Sequence, residues 1–413
     1  ISLMASSPRL PRFLISFLFS LLLTSHFCLC NHHQLILLPL KTQSPPTVTL
    51  SVGTPPQPAT MLVDTGSELA WLRSNFSSSR SSSYSPIPFS SPDCRNRTHT
   101  LPVLPYRDPK TGLCHVLISY ADASSANGTL AADIFHLGDA AADMRTLFGC
   151  MDVESSSNPE DGKTAGILAM NRGGLSFAAQ TNLTGFSYCI AGDGAPGVLL
   201  LGAARFRWLP ARTYTPMVQK STPLPGFDLA AYTVALLGIK VNRTSLLLDP
   251  AVLRPDHTGA GQTTVDSGTQ FTYLLGAAYK VLKTEFLRQT KGRLTPLDDG
   301  EGFAFQGTMD CCFRPPLGRL PELPGVTLEF PGAELRVAGW KKLMYRVRGA
   351  GPNQTDPAYC LTVGNSDLLG IQQYVIGYHH QRNMWMEFDL RNSRIGITEA
   401  WCGDAGQRLG IRP

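Results

Sequence analysis

Two short stretches of this chain echo each other. Met61-Leu62-Val63-Asp64-Thr65-Gly66-Ser67 is answered by Thr263-Thr264-Val265-Asp266-Ser267-Gly268-Thr269, 202 residues further on. Both have apolar residues before the aspartate, and both run on into an apolar, strand-like segment, Leu69 to Leu72 and Phe271 to Leu275. No other Asp-[Ser/Thr]-Gly occurs. Two such motifs in matched contexts are far rarer by chance than one, and their separation is too long for a solenoid repeat. It suits one motif in each of two lobes.

The residue types point to a chemistry. A strand delivers the aspartate, and the glycine permits a tight turn that holds the carboxylate at the base of a cleft. Hydroxyls beside it can donate to its oxygens. Two carboxylates brought that close do not both ionise easily, so they share one proton. One then acts as base on a water and the other as acid on a carbonyl. The bland alternative is a pair of ordinary Asx turns at strand ends, which leaves the duplication unexplained.

The rest of the sequence agrees with two lobes. A chain of 413 residues exceeds the usual size of one domain. At 43% hydrophobic and 16% charged it can build real cores. Strand-favouring runs punctuated by Gly and Pro, with little helical periodicity, predict a mostly β fold. The net charge of +5, without a Lys/Arg cluster, gives no support to a nucleic-acid partner.

Residues 1–30 read as a leader. Arg9 and Arg12 precede the apolar run Phe13 to Leu23, the pattern of a secretory signal and too short to span a bilayer; residues ahead of Met4 read as an upstream remnant. An oxidising compartment follows, either the endoplasmic reticulum lumen or beyond it, the apoplast or vacuole. Eight cysteines remain after the leader: Cys94, Cys114, Cys150, Cys189, Cys311, Cys312, Cys360 and Cys402. None has zinc-site spacing. Sequons at Asn75, Asn96, Asn127, Asn182, Asn242 and Asn353 are glycosylation candidates.

With these features in hand, the chain resembles the plant pepsin-like aspartic proteases, within them the "promotion of cell survival" type, from Thr47 to its last residues. Trp71 stands at the usual offset after the first motif, and Ser119-Tyr120-Ala121-Asp122 resembles the flap with Tyr120 as its tyrosine. Gly166-Ile167-Leu168 and Val375-Ile376-Gly377 resemble the apolar segments that thread under the catalytic loops. Phe148-Gly149-Cys150 and Phe186-Ser187-Tyr188-Cys189 resemble plant-type signatures.

The resemblance implies a bilobal pepsin-like fold of two antiparallel β lobes, 47–210 and 211–404, with a cleft between them. A short segment, 31–46, would precede the lobes and a tail, 405–413, would follow. It implies an aspartic endopeptidase of acidic optimum with Asp64 and Asp266 as the dyad. Ser67 and Thr269 would hold their outer oxygens, Thr65 and Ser267 would tie the loops together, and Gly66 and Gly268 would shape the turns. Tyr120, steadied by Trp71, would close over the substrate. Polypeptide substrates, a monomer, no cofactor, no metal, no stable membrane anchor and binding of pepstatin-type inhibitors complete the expectation.

The family pattern is not followed everywhere. Ala121 and Ala123 stand where the flap commonly has Gly, which should stiffen it. Ala169 replaces a Gly in the first threading segment, and Ser74 stands where relatives have a cysteine that pairs with the one at Cys150. A second family pair is lost near Phe89 and Tyr106. The surviving pairs implied are Cys94–Cys114, Cys189–Cys402 and Cys312–Cys360, with Cys311 an alternative to Cys312. Cys150 is then expected to be a buried, unreactive thiol. Only about sixteen residues separate the leader from Thr47, so no long inhibitory propeptide is expected.

Three features are decoys. Gly192-Asp193-Gly194-Ala195-Pro196-Gly197 matches a dinucleotide-binding pattern, yet a strand rather than a helix follows, so a hairpin turn is expected. His379-His380 lacks a third ligand for a metal and reads as a loop pair lining the cleft. Ser77 to Ser83 reads as a solvated loop. The competing function is a catalytically weak or inactive pepsin-fold protein that binds or inhibits, for which loss of one motif would be the mark.

Overall fold

The computed structural model describes residues 35–42, 45–74, 80–137, 143–155, 164–192, 194–297, 307–314, 320–347 and 358–412. The leader, Asn75, Asn353 and the serines before Arg80 lie outside them. The described chain is mostly β, in five sheets.

The strand Gln57–Asp64 shows how the sequence makes them. Ala59, Met61 and Val63 alternate with more exposed residues and are fully buried, the period of two that puts one face on a core. Burying side chains such as Met61 and Val63 stabilises by about 1.5–3 kcal/mol each. At its end the strand delivers Asp64. The strand Thr263–Val265, buried throughout, does the same for Asp266.

The duplication read in the sequence extends to the topology around each aspartate. In the nine-stranded sheet, Gly166–Ala169 pairs parallel with Gln57–Asp64 and antiparallel with Trp71–Arg73, so it threads between the strands that flank the Asp64 loop. In the five-stranded sheet, Tyr374–Ile376 pairs parallel with Thr263–Val265 and antiparallel with Thr272–Leu274. The outer neighbours match as well. Trp71–Arg73 runs parallel to Met144–Ser155, and Thr272–Leu274 runs parallel to Val363–Asn365. Four strands around each aspartate therefore repeat in the same order and sense.

A six-stranded sheet is built from both ends of the chain, in the order Ile36–Leu40, Gly197–Leu201, Phe186–Cys189, Met384–Asp389, Arg394–Glu399, Thr213–Pro216. Phe186 stacks on Phe388 with ring centroids 4.6 Å apart, and Tyr232 packs edge-on to the same ring. Residues 36–40, read from sequence as preceding the lobes, are thus a strand of this sheet. The last residues are also built in: the helix Cys402–Arg408 buries Ala405, and Ile411 is buried behind it.

Three disulfides join Cys94 to Cys114, Cys189 to Cys402 and Cys312 to Cys360. Cys311 is buried in the core and takes no part in these bridges. Cys150 is not buried as expected. It is half-buried, with its thiol bonded to the Tyr84 hydroxyl. Burial still pushes the thiol up, against the hydrogen bond from Tyr84, so it is a poor nucleophile.

Two further expectations are corrected. Ser81 and Ser83 are not simply solvated: both hydroxyls donate to the buried carboxylate of Asp133. His379 and His380 are buried in the one-turn helix Tyr378–Gln381 rather than set in a loop along the cleft. Phe186–Cys189 and Gly197–Leu201 pair antiparallel, as the hairpin expected between them requires, while Asp193 lies outside the described residues. Among the sequons, Asn96, Asn182 and Asn242 are exposed, and Asn127 is half-buried within the strand Ser125–His136. No helix among the described residues is long and apolar enough to cross a membrane.

Candidate active site

The two aspartate loops meet face to face. A side-chain carbon placed on Gly66 would fall 2.8 Å from Asp266 Oδ1, and one on Gly268 would fall 2.3 Å from Asp64 Oδ1. Each carboxylate therefore occupies the space that a side chain on the opposite loop would need. Both glycines are required by this approach, whatever their φ.

Each carboxylate is held the same way. Gly66 N donates to Asp64 Oδ1 at 2.7 Å, and the Ser67 hydroxyl donates to Oδ2. Gly268 N donates to Asp266 Oδ1 at 2.7 Å, and the Thr269 hydroxyl donates to Oδ2 at 2.5 Å. The inner and outer oxygens are thus distinguished on both sides.

Beneath the carboxylates the loops are cross-tied. Thr65 N donates to Ser267 Oγ at 3.1 Å and Ser267 N donates to Thr65 Oγ1 at 2.9 Å. The Thr65 hydroxyl donates to Val265 O at 3.0 Å, and the Ser267 hydroxyl donates to Val63 O at 2.7 Å. Thr65 is 0% exposed and Ser267 1%. Four buried hydrogen bonds across 200 residues of sequence leave the loops little freedom to separate.

Burial pushes Asp64 well above the ordinary carboxylate range, and the charge of Asp266 adds to it. The bonds from Ser67 and Gly66 pull the other way and are outweighed. The physical cause is the like-charge, low-dielectric setting anticipated above.

Tyr120 opens the turn between the antiparallel strands Cys114–Ser119 and Ser125–His136. Trp71 Nε1 donates to its hydroxyl at 2.7 Å. Burial and the nearby Asp64 charge hold the phenol far above its usual range, opposed by its bonds with Trp71 and Ser67. A polar line therefore runs from Trp71 through Tyr120 and Ser67 to Asp64. Ala123, in the same turn, has φ of 65°, a left-handed conformation that costs a residue with a side chain about 1–2 kcal/mol.

Several supporting residues were not singled out in the sequence for this role. Gln381 Nε2 donates to Asp266 O at 3.1 Å and to Ile376 O at 2.7 Å, and its amide oxygen accepts from the Tyr188 hydroxyl. Tyr232 donates to Met170 O at 2.7 Å, while Met170 N donates to Asp64 O at the same distance. Glu68, next to Ser67, accepts from the Thr100 hydroxyl at 2.5 Å. The only signals for them were polar residues placed just after an apolar threading segment, as Gln381 is, or within a plant-type signature, as Tyr188 is. Among the described residues, no group of three or more His, Cys, Asp or Glu is placed to hold a metal.

Known proteins resemble this chain. The family models described as "Xylanase inhibitor N-terminal" and "Xylanase inhibitor C-terminal" match residues 47–203 and 231–399. Aspartic proteinase PCS1 of Arabidopsis thaliana is 52% identical, over 91% of this chain and 90% of its own. Aspartic proteinase nepenthesin-1 of Nepenthes gracilis is 29% identical, over 86% of this chain and 77% of its own. Among solved structures, basic 7S globulin from soybean superposes with a TM-score of 0.67 at 18% identity, over 90% of this chain and 99% of that one. The structure titled edgp does so with a TM-score of 0.66 at 18% identity, over 90% and 96%. At such identity these two speak for the fold alone.

Proposed function

The chain belongs to the plant pepsin-like aspartic protease family, and we propose that it is an active endopeptidase whose dyad is Asp64 and Asp266. One observation carries the reading: both carboxylates keep a full and equivalent set of donors while lying against each other's glycine. Such a pair holds one proton between its members over an acidic range.

The steps follow from that proton. The ionised carboxylate removes a proton from a water lying between the two groups, and the water oxygen attacks the carbonyl carbon of the scissile peptide. The protonated carboxyl gives its proton to the carbonyl oxygen, so a neutral gem-diol forms and the pair again holds one proton. Collapse breaks the C–N bond, the amine nitrogen takes a proton from the pair, and a diol hydroxyl returns one. Tyr120, held by Trp71, covers this centre from the flap. Two lobes divided near residue 210, a monomer, pepstatin binding and residence in the secretory pathway belong to the same reading, the last supported by the three disulfides.

The second reading, a pepsin-fold protein that binds rather than cuts, draws on the inhibitor descriptions of the matching family models and on the globulin neighbour. The intact donor set at both aspartates favours the enzyme. Purified protein incubated with a denatured polypeptide at acid pH should cleave it, and pepstatin should stop the cleavage. Absence of cleavage at every pH, with a folded protein, would favour the binding reading.

A further inference from the structure

The buried His380 is not needed for the dyad's chemistry, yet its bonds are specific. Its Nε2 lies 2.8 Å from Thr362 Oγ1 and its Nδ1 lies 2.7 Å from Thr272 Oγ1. Thr362 gives its own proton to Lys342 O at 2.6 Å, so towards His380 it can only accept. Nε2 must therefore carry the imidazole proton. Nδ1 is then the acceptor, and Thr272 donates to it while accepting from Gly377 N at 3.3 Å. The line of donors runs one way, from Gly377 N through Thr272 to His380 and from His380 through Thr362 to Lys342 O.

Gly377 and its neighbours are what hold Asp266. Asp266 N donates to Ile376 O at 3.0 Å, and Asp266 O accepts from Gln381 Nε2, the residue after His380. Tyr378 N and His379 N donate to Thr269 O and Gln270 O of the same loop. The segment 376–381 thus grips the Asp266 loop on its backbone, and His380 pins that segment to the strand Thr272–Leu274 and to Thr362.

We infer that His380 is a positioning residue for the Asp266 loop, that it serves only as the neutral imidazole protonated at Nε2, and that a second proton on it loosens the grip on that loop. This rests on the reading of Asp266 as a member of the dyad. A proton on Nδ1 would face the hydroxyl proton of Thr272, so Thr272 would have to turn its donor away in a buried site. The surrounding charges oppose that proton as well. Burial acts against it most, then His379 and then Lys342 of the helix Trp340–Leu343, while a bond with the Lys342 backbone favours it. His379 is itself held below its usual range by burial, then by Arg382, with Lys342 adding to the effect, and its Nε2 is bonded to Lys341 O. The carboxylate in this neighbourhood, Glu399, acts on Lys342. An enzyme of acid optimum would then contain a group that must stay uncharged in acid.

Hydrogen–deuterium exchange at the imidazole C2 carbon, followed by mass spectrometry across pH, reads each histidine of the wild-type protein separately. The exchange midpoint of His380 should lie well below those of the exposed His99 and His257 in the same samples. A midpoint shared with them overturns the inference. In parallel, His380→Gln, which keeps a donor and an acceptor but takes no proton, should lower kcat with KM little changed and should flatten the loss of urea midpoint that wild type shows as pH falls. A folded His380→Gln with the kcat of wild type, or one whose urea midpoint falls in acid as steeply as that of wild type, also overturns it. If the wild-type protein cleaves nothing at any pH, the proposed activity fails, while the exchange midpoints still decide the protonation of His380.

Discussion

Thr65→Val isolates the cross-tie beneath the carboxylates. The substitution keeps the shape of the side chain and removes one oxygen. That oxygen accepts from Ser267 N at 2.9 Å and donates to Val265 O at 3.0 Å in a site with no exposure. The reciprocal pair, from Thr65 N to Ser267 Oγ and from Ser267 Oγ to Val63 O, remains. Two buried backbone groups are left without these partners, each at about 1–3 kcal/mol, so the loss should be about 2–6 kcal/mol. Against a total stability of about 5–15 kcal/mol that is a large fraction. Urea unfolding should show a lower midpoint with an unchanged slope. Ser267→Ala should cost a similar amount, and the double variant should cost less than the two together, because loops already parted admit water to the remaining groups. A Thr65→Val protein within about 0.5 kcal/mol of wild type would refute the claim that these bonds hold the loops together.

Other outcomes follow from the same geometry. Because Asp64 is raised in the folded state, its contribution to stability is fully present below the ordinary carboxylate value near 4 and is lost as pH rises through the raised value; Asp64→Asn should gain stability over wild type as pH rises across that window, read by urea midpoints at several pH values. Tyr120→Phe removes the hydroxyl between Trp71 and Ser67 and should lower kcat/KM about tenfold, equivalent to about 1.4 kcal/mol, with thermal stability nearly unchanged. Ala123→Gly relieves a left-handed conformation and should raise stability by up to about 1 kcal/mol, measured by thermal unfolding.

What could be read from the sequence was set by local chemistry repeated in two places. Each Asp loop needs a strand, a carboxylate, a hydroxyl and a glycine within a few residues, so its parts are adjacent in the chain and visible there. The mutual approach of Asp64 and Asp266 is a contact across the fold, but duplication made it inferable. Gln381 is different. Its bonds to Asp266 O and Ile376 O depend on a one-turn helix folding back under the loop, and the sequence hints at that only by its place just after a threading segment. The two histidines misled for a related reason. Polar residues after a strand suggest a surface loop, whereas Thr272 and Thr362, distant in sequence, supply partners that make burial tolerable. Cys150 follows an apolar run, and that run alone did not tell that the thiol is only half-buried, bonded to Tyr84.

The central claim is that one proton shared by Asp64 and Asp266 drives peptide cleavage. The most direct test is the pH dependence of cleavage of one peptide by wild type, Asp64→Asn and Asp266→Asn, each checked for its fold by circular dichroism. The rate of wild type should be greatest in acid and fall as pH rises and the pair gives up its shared proton, and both variants should be inactive throughout. A wild-type rate that climbs steadily into the alkaline range, or either variant keeping most of its activity, would contradict it.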